Sequence, residues 1–349
     1  MTAVGFGAGV TGGGDNPTKF FVTSGDNNGV GTLARALKDA KTAGGKTKIV
    51  INANVVITRR ASSHTIDFGD LTISGMAGSR IRSNLFLFDC DKSDNVILKN
   101  LTFEGTPDNT QAPRDAILLD AREGRGRKGF WISHCEFNAY YDLNITANAG
   151  DLAADKPPLL ITISKCLFQN DLPGGVNREN NGALGIHGDK KTQNTNAYAT
   201  VTRNVFRTVR RRSPRSSGKC VVHAFNNVLL QWGTPTGTGT QANGMESGND
   251  GRLVAQANYF QAGALKETIS LATDDARRLG HLTIDDTDLP ANTLKNIYVD
   301  TTDKTAAVGA QIDIQQLYRD RSVQVEVKPM DDTLRALIEA QAGPKPEPA

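Results

Sequence analysis

The chain has 349 residues, with 35 glycines, 13 Phe, 6 Tyr, 2 Trp and 22% charged side chains. That is enough apolar material for a large core, and it excludes a disordered tail, a small disulfide scaffold and a membrane span. Forty Lys and Arg against 37 Asp and Glu give a formal charge of +3, too nearly balanced to demand a polyanionic partner by itself.

The first residues, MTAVGFGAGVTGGGDN, lack the basic region and apolar stretch of a secretory signal, so as given the chain is cytoplasmic, a mature form, or exported by another route. Residues 31–40, GTLARALKDA, place Leu33, Ala36, Leu37 and Ala40 at helical spacing. They are predicted to form a short amphipathic helix that caps the amino-terminal end of the fold.

From residue 95 onward a motif recurs: NVILKNLTF, FWISHCEF, ITISKCLF, ATVTRNVF, VHAFNNVLL and RLVAQANYF. Aligning the closing Phe103, Phe137, Phe168, Phe206, Leu229 and Phe260 stacks Leu101, Cys135, Cys166, Asn204, Asn227 and Asn258 in one column. Each unit is a β-branched run between Gly, Asn and Asp turns, with little helical period between units, which argues against propeller and βαβ folds. A parallel β-solenoid fits, with coils about 4.8 Å apart and loops of variable length on one flank. Three Asn in register could then form a ladder of side-chain amides. Cys135 and Cys166 fall one coil apart, which permits a disulfide; buried free thiols are the commoner case. Without a CxxC pair or a nearby His at metal spacing, Cys90, Cys135, Cys166 and Cys220 make a poor zinc site.

Between residues 203 and 219 lie Arg203, Arg207, Arg210, Arg211, Arg212, Arg215 and Lys219, with no Asp or Glu. The near-neutral total therefore hides a basic stretch. It can be a solvated surface, a nucleic-acid contact or a site for an acidic sugar chain. Phe206 is the one aromatic in the run and the repeat assigns it to the core, so base stacking is disfavoured. Asp115 and Asp142 lie in loops of preceding coils, where they could face the same groove or simply pair with the arginines. Residues 264–342 carry no recognised motif and are expected to cover the carboxy-terminal coils. Within them, DTLRALIEAQA at 332–342 reads as a helix capped by its first Asp, with Leu334, Leu337 and Ile338 on one face. The Pro-rich and Gly-rich end, 343–349, reads as a loose tail.

These motifs resemble the polysaccharide lyase family that includes pectate and pectin lyases, over about residues 4–262. GFGAGVTGG and GTLARAL are similar to the family's opening glycine segment and capping helix. DAILLD followed by FWISHCEF looks like its aspartate segment and Trp-Ile-Asp-His strand, with Ser133 in place of Asp. RRSPRSSGKCVVHAFNNVLL resembles the Arg-X-Pro…Gly…His-X-X-Asn-Asn signature, at a spacing nearer that of pectin lyases.

The resemblance implies an all-β, right-handed parallel β-helix in one domain, 1–263, acting on a 4-linked polyuronate by β-elimination. It places the base at Arg212; the charge of the stretch makes Arg211, Arg215 and Lys219, with His187, the expected substrate-binding residues. It makes calcium a possible cofactor at Asp115 and Asp142, although the partner acid four residues after Asp142 is Thr146 here. The lysine by which pectate lyases hold substrate falls on Gly182 or Ala183. An extracellular monomer with an acidic polysaccharide as partner, and with neither nucleic acid nor membrane, is implied. Two other readings stay open: a tailspike-like binding β-helix that does not cut, and a β-helix glycoside hydrolase, which needs clustered carboxylates.

Overall fold

Short β-branched runs are too small to be stable alone and are paired here by the chain winding on itself. The computed structural model describes residues 2–58, 63–105, 114–121, 129–138, 140, 142–150, 157–169, 182–188, 195–232, 244–262, 269–271, 281–284, 294–299 and 313–345. Among these residues the strands make three all-parallel sheets. Sheet 1 has ten strands, from Thr18–Val22 to His281–Ile284; sheet 2 has nine, from Val56–Thr58 to Ile297–Val299; sheet 3 has eight, from Ser63–Ile66 to Ile269–Leu271. Each coil gives one strand to each sheet, as Phe130–Ser133, Glu136–Asn138 and Leu143–Asn148 do in turn. The fold is the expected right-handed parallel β-helix.

The aligned residues stack in register: Phe103 on Phe137, Phe137 on Phe168, Phe168 on Phe206, Phe206 on Leu229 and Leu229 on Phe260. The four phenylalanine rings lie 4.9–5.1 Å apart and within 12° of parallel. In the column two residues upstream, Asn204, Asn227 and Asn258 form the predicted ladder, which continues one coil further to Asn296. Each Nδ2 donates to the Oδ1 of the next Asn at 2.9–3.0 Å, and each backbone N–H donates to the same oxygen at 2.9–3.1 Å. The ladder starts where the thiols stop, with Cys166 N donating to Asn204 at 2.9 Å. An amide both donates and accepts strongly, whereas a thiol does neither well. All four cysteines are buried and free.

Between sheets 1 and 2 the chain turns on a single left-handed residue per coil: Asn100, His134, Lys165, Arg203, Asn226 and Ala257, with φ of 47–57°. Glycine takes positive φ at no steric cost and is the residue expected in such turns, yet this corner is built without it. The strain of about 1–2 kcal/mol per residue is offset by hydrogen bonds to the next coil, such as His134 N to Ser164 O at 3.2 Å. Gly124, Gly126, Gly174, Gly175, Gly237 and Gly239, expected in loops, lie outside the described residues. Gly12 does show the glycine requirement. Its φ is +54°, and an added Cβ would meet Ile97 at 2.8 Å, because the amino-terminal segment lies flat on sheet 1.

Helix α1, Leu33–Ala43, closes one end and buries Leu33, Ala36, Leu37 and Ala40, as predicted; Thr32 caps it by accepting from Arg35 N. At the other end the coils run on past residue 263, since Ile269–Leu271, His281–Ile284 and Ile297–Val299 extend sheets 3, 1 and 2. Helix α2, Ile314–Arg319, then packs on sheet 1 through Ile314 and Tyr318, and α3, Asp332–Gln341, on sheet 2 through Ile338. The cap of α3 is Asp331 rather than Asp332, accepting from Leu334 N at 2.6 Å. Leu334 and Ile338, four residues apart, share the buried face. Leu337 is turned about 100° from Ile338 and is 49% exposed, contrary to expectation. The start of the expected tail is tied down: Gly343 N donates to Lys165 O at 3.0 Å and Lys345 N to Asn100 Oδ1 at 3.3 Å. Residues 346–349 lie outside the described residues.

Candidate active site

On sheet 3, parallel registration puts residues far apart in sequence into rows. Thr146, Gly185, Arg215 and Glu246 form one row, and Asn148, His187, Ser217 and Gly248 the next. The chain enters this face through residues 210–214. Arg211 bridges to Gly182, Arg212 adopts a left-handed φ of 57°, and the Ser213–Pro214 peptide is cis. The left-handed turn lays the Arg212 stem over Gly182: a Cβ added there would stand 3.3 Å from the Cβ and Cδ of Arg212 and 2.6 Å from Leu143 Cδ2. Lysine at 182 therefore has no room. At 183 it would point into the core, where Ala183 is fully buried.

Acids from neighbouring coils meet the cations. Arg212 Nη1 lies 3.5 Å from Asp142 Oδ1 and its Nε 4.0 Å from Glu246 Oε2. Glu246 Oε1 is 3.1 Å from Arg215 Nη1, both side chains being buried. Arg114 Nη2 stands 3.6 Å from Asp142, and Lys219 Nζ 3.9 Å from Asp250. The basic stretch is thus not one surface: Arg203 sits in the corner between sheets 1 and 2, Arg207 belongs to sheet 2, and Arg212 and Arg215 are countered by carboxylates. The carboxylate pairing weighed from sequence is what the structure contains. Glu246 was missed there. Its signal was available, since it follows Arg215 by one repeat length and pairs with it in register.

Burial perturbs three groups of the cluster, Asp115, His187 and Arg211. The Asp115 carboxyl is pushed up to about 6, by desolvation and by the charge of Asp142, against the help of the Leu143 N–H, the Thr146 hydroxyl and Arg114. Burial, then Arg215 and Arg212, pushes His187 down to about 3 and keeps its imidazole neutral. Arg211 is pulled down to about 10, by burial and the adjacent Arg212 charge, against Glu246 and Asp142. Arginine holds its proton less firmly here than in water.

Asp115 and Asp142 do come together, close enough for the charge of Asp142 to act on Asp115, but their surroundings do not suit calcium. Asp115 Oδ1 accepts from Leu143 N at 3.0 Å and Oδ2 from the Thr146 hydroxyl at 3.1 Å. Asp142 lies between the guanidinium groups of Arg114 and Arg212, which repel a divalent ion. Hard cations need six to eight oxygens, and among the described residues no group of three or more His, Cys, Asp or Glu is arranged to hold a metal.

The sequence profile of the pectate lyase family (Pectate_lyase_4) matches residues 2–307. The chain belongs to the pectate lyase family. Its resemblance to a curated pectin lyase of Bacillus subtilis is 26% identity over 251 residues, 70% of this chain and 66% of that protein, so the match spans just under two thirds of the relative. Pectate lyase II from Xanthomonas campestris pv. campestris superposes with a TM-score of 0.61 at 18% identity, covering 98% of each chain. A pectate lyase from Bacillus sp. N165, solved with trigalacturonate, superposes with a TM-score of 0.62 at 15% identity, covering 97% of this chain and 98% of that one. At such identities the two solved structures establish the shared pectate lyase family fold.

Proposed function

We propose that this family member is a polysaccharide lyase that cleaves a 4-linked polyuronate by β-elimination, with Arg212 as the base. The observation that carries the reading is Arg212 itself, held on its left-handed turn over Gly182 and flanked by Arg211, Arg215 and a neutral His187. The hydrogen on C5 of a uronate is acidified by the neighbouring carboxyl group. Arg212 in its uncharged form takes that proton. The C5–H electrons form the C4=C5 double bond, the C4–O4 bond breaks, and its electron pair leaves on O4, which is then protonated. Negative charge builds on the uronate carboxyl group in the transition state, and Arg211, Arg215 and Lys219 stand on the same face to stabilise it.

An arginine normally keeps its proton. Burial and the charge of Arg212 loosen the hold of Arg211 on its proton; crowding of like charges disfavours protonated guanidinium groups here, against the pull of Asp142 and Glu246. Hydrolysis instead needs one carboxylic acid and one carboxylate free to act across the bond. Asp115, Asp142 and Glu246 are each engaged by donors or guanidinium groups, which favours elimination. The substrate is a cell-wall-type polymer too large to enter a cell, so the protein is assigned an extracellular place.

Incubating the protein with polygalacturonate and methylated pectin, and following the ultraviolet absorbance of unsaturated uronate ends, tests the reading. Arg212→Ala should lower turnover by about 10²–10⁴ with an unchanged unfolding midpoint. A chelator should leave the rate unchanged, given the guanidinium groups around Asp142. New reducing ends without that absorbance would replace elimination by hydrolysis, and binding without new ends would leave the non-cutting β-helix.

A further inference from the structure

Two adjoining clefts of about 680 and 270 Å³ lie over sheet 1 and its corner with sheet 2, and share Thr2, Trp131, Ser133 and His134. Sheet 3, which holds Arg212, contributes none of their described lining. The charge in them is one-sided. Lys46, Lys48, Lys99 and Lys345 line the first cleft and Lys165 and Arg203 the second, against Asp15 and Glu326 among the described lining residues.

The solenoid gives these cations an order. Lys165 and Arg203 occupy the left-handed corner in successive coils, with His134 one coil before them and Lys99 beside the same corner in the coil before that. A ligand extended along the axis therefore meets a polar or cationic side chain at each step of about 4.8 Å. Lys345 is delivered by the carboxy-terminal segment, whose Gly343 N and Lys345 N are bonded to Lys165 O and Asn100 Oδ1. The field is felt at His134. Burial first, then Lys165, Lys345 and Lys99, push its imidazole down to about 4.

The floor between the cations is an aromatic ring among hydroxyls. Trp131 Nε1 donates to Ser164 Oγ at 3.0 Å, and Ser133 Oγ is bonded to His134 Nδ1 at 2.8 Å. The indole ring is 8% exposed and packed with Ala3, Val10 and Ile97, so contact with a sugar falls to the cations and to hydroxyl groups at the rim such as Thr2 and Thr11. A nucleic-acid strand needs a series of stacking rings.

We propose that these two clefts form a second, non-catalytic track that binds a carboxylated oligosaccharide, so that one stretch of polymer is anchored here while sheet 3 acts on another. The choice of a uronate, and the second half of that statement, rest on the lyase reading.

The test is calorimetric binding of trigalacturonate to the full chain carrying Arg212→Ala, compared with the same chain also carrying Lys99→Ala, Lys165→Ala and Lys345→Ala. The expected result is loss of one site, or an affinity lower by about tenfold, with an unchanged unfolding midpoint. Lys345→Glu alone, at an exposed position, should weaken binding in the same direction. Unchanged binding in both variants overturns the track. Equal binding of a neutral trisaccharide, or competition on equal terms by duplex DNA, overturns the uronate assignment. With Arg212 intact, the triple lysine variant should cut short oligomers at the normal rate while its KM for long polymer rises. If the unmodified protein makes no unsaturated ends, the lyase reading fails, and the binding comparison still decides the track.

Discussion

The arginines of residues 210–215 and the lysines around His134 are both clusters of positive charge, and the fold treats them in opposite ways. Arg210, Arg211 and Arg215 are buried, Arg212 is set on a left-handed turn, and Arg212 and Arg215 are held by carboxylates from neighbouring coils. The lysines stand at the mouths of clefts, on flexible stems, at repeated positions of the solenoid. A guanidinium fixed between carboxylates has a defined direction, which proton transfer requires; an ammonium on a four-carbon stem follows its ligand, which suffices for retention. On the proposed reading, the difference separates a place for chemistry from a place for holding.

The largest expected effect comes from breaking the arginine cluster. Glu246→Gln leaves Arg215 buried without its counter-charge and should destabilise the protein by roughly 3 kcal/mol, read as a lower urea midpoint at constant slope. An unchanged midpoint would mean that the two clusters are solvated alike. Acid should come next. His187 and His223 are held down to about 3, and His134 to about 4, in each case chiefly by burial. Their folded values lie below the unfolded 6.5, so the stability they contribute is present above 6.5 and lost as pH falls through 4 and then 3. Asp115, raised to about 6, works the other way: its contribution is complete below its unfolded value and lost as pH rises through 6. Three histidines outweigh one aspartate, so the thermal midpoint should fall steadily from pH 7 to pH 4; a flat profile would refute this. The smallest effect separates the clusters most finely. Lys345→Ala removes one neighbouring charge and should raise the His134 titration point by about 0.3 pH unit, while His187 stays where it is in the same nuclear magnetic resonance titration.

The fold was readable because a solenoid repeats its core. Phe103, Phe137, Phe168 and Phe206 announce the stack, and Asn204, Asn227 and Asn258 the ladder. The site was readable only in part. Arg212 and Arg215 lie in one motif and could be named, whereas Glu246 reaches Arg215, and Arg114 reaches Asp142, only through registration between coils. The run of cations without an acid looked like one patch because sequence order ignores that strands of one coil face three directions. Asn296 escaped notice, although Tyr298 follows it at the closing spacing and pairs with Phe260, because no alternating apolar run comes directly before it. The pairing of Asp115 with Thr146 depends on atoms meeting across strands, which residue spacing does not record.

The asparagine ladder has a consequence for how this architecture can change. Each amide asks only for another amide at the same place in the next coil. How much chain intervenes is of no account to it: successive rungs are 23, 31 and 38 residues apart. Register is policed at one point per coil and coil length is left free. The segments between the strands can therefore be rewritten, lengthened or shortened, without retuning the interior that supports them.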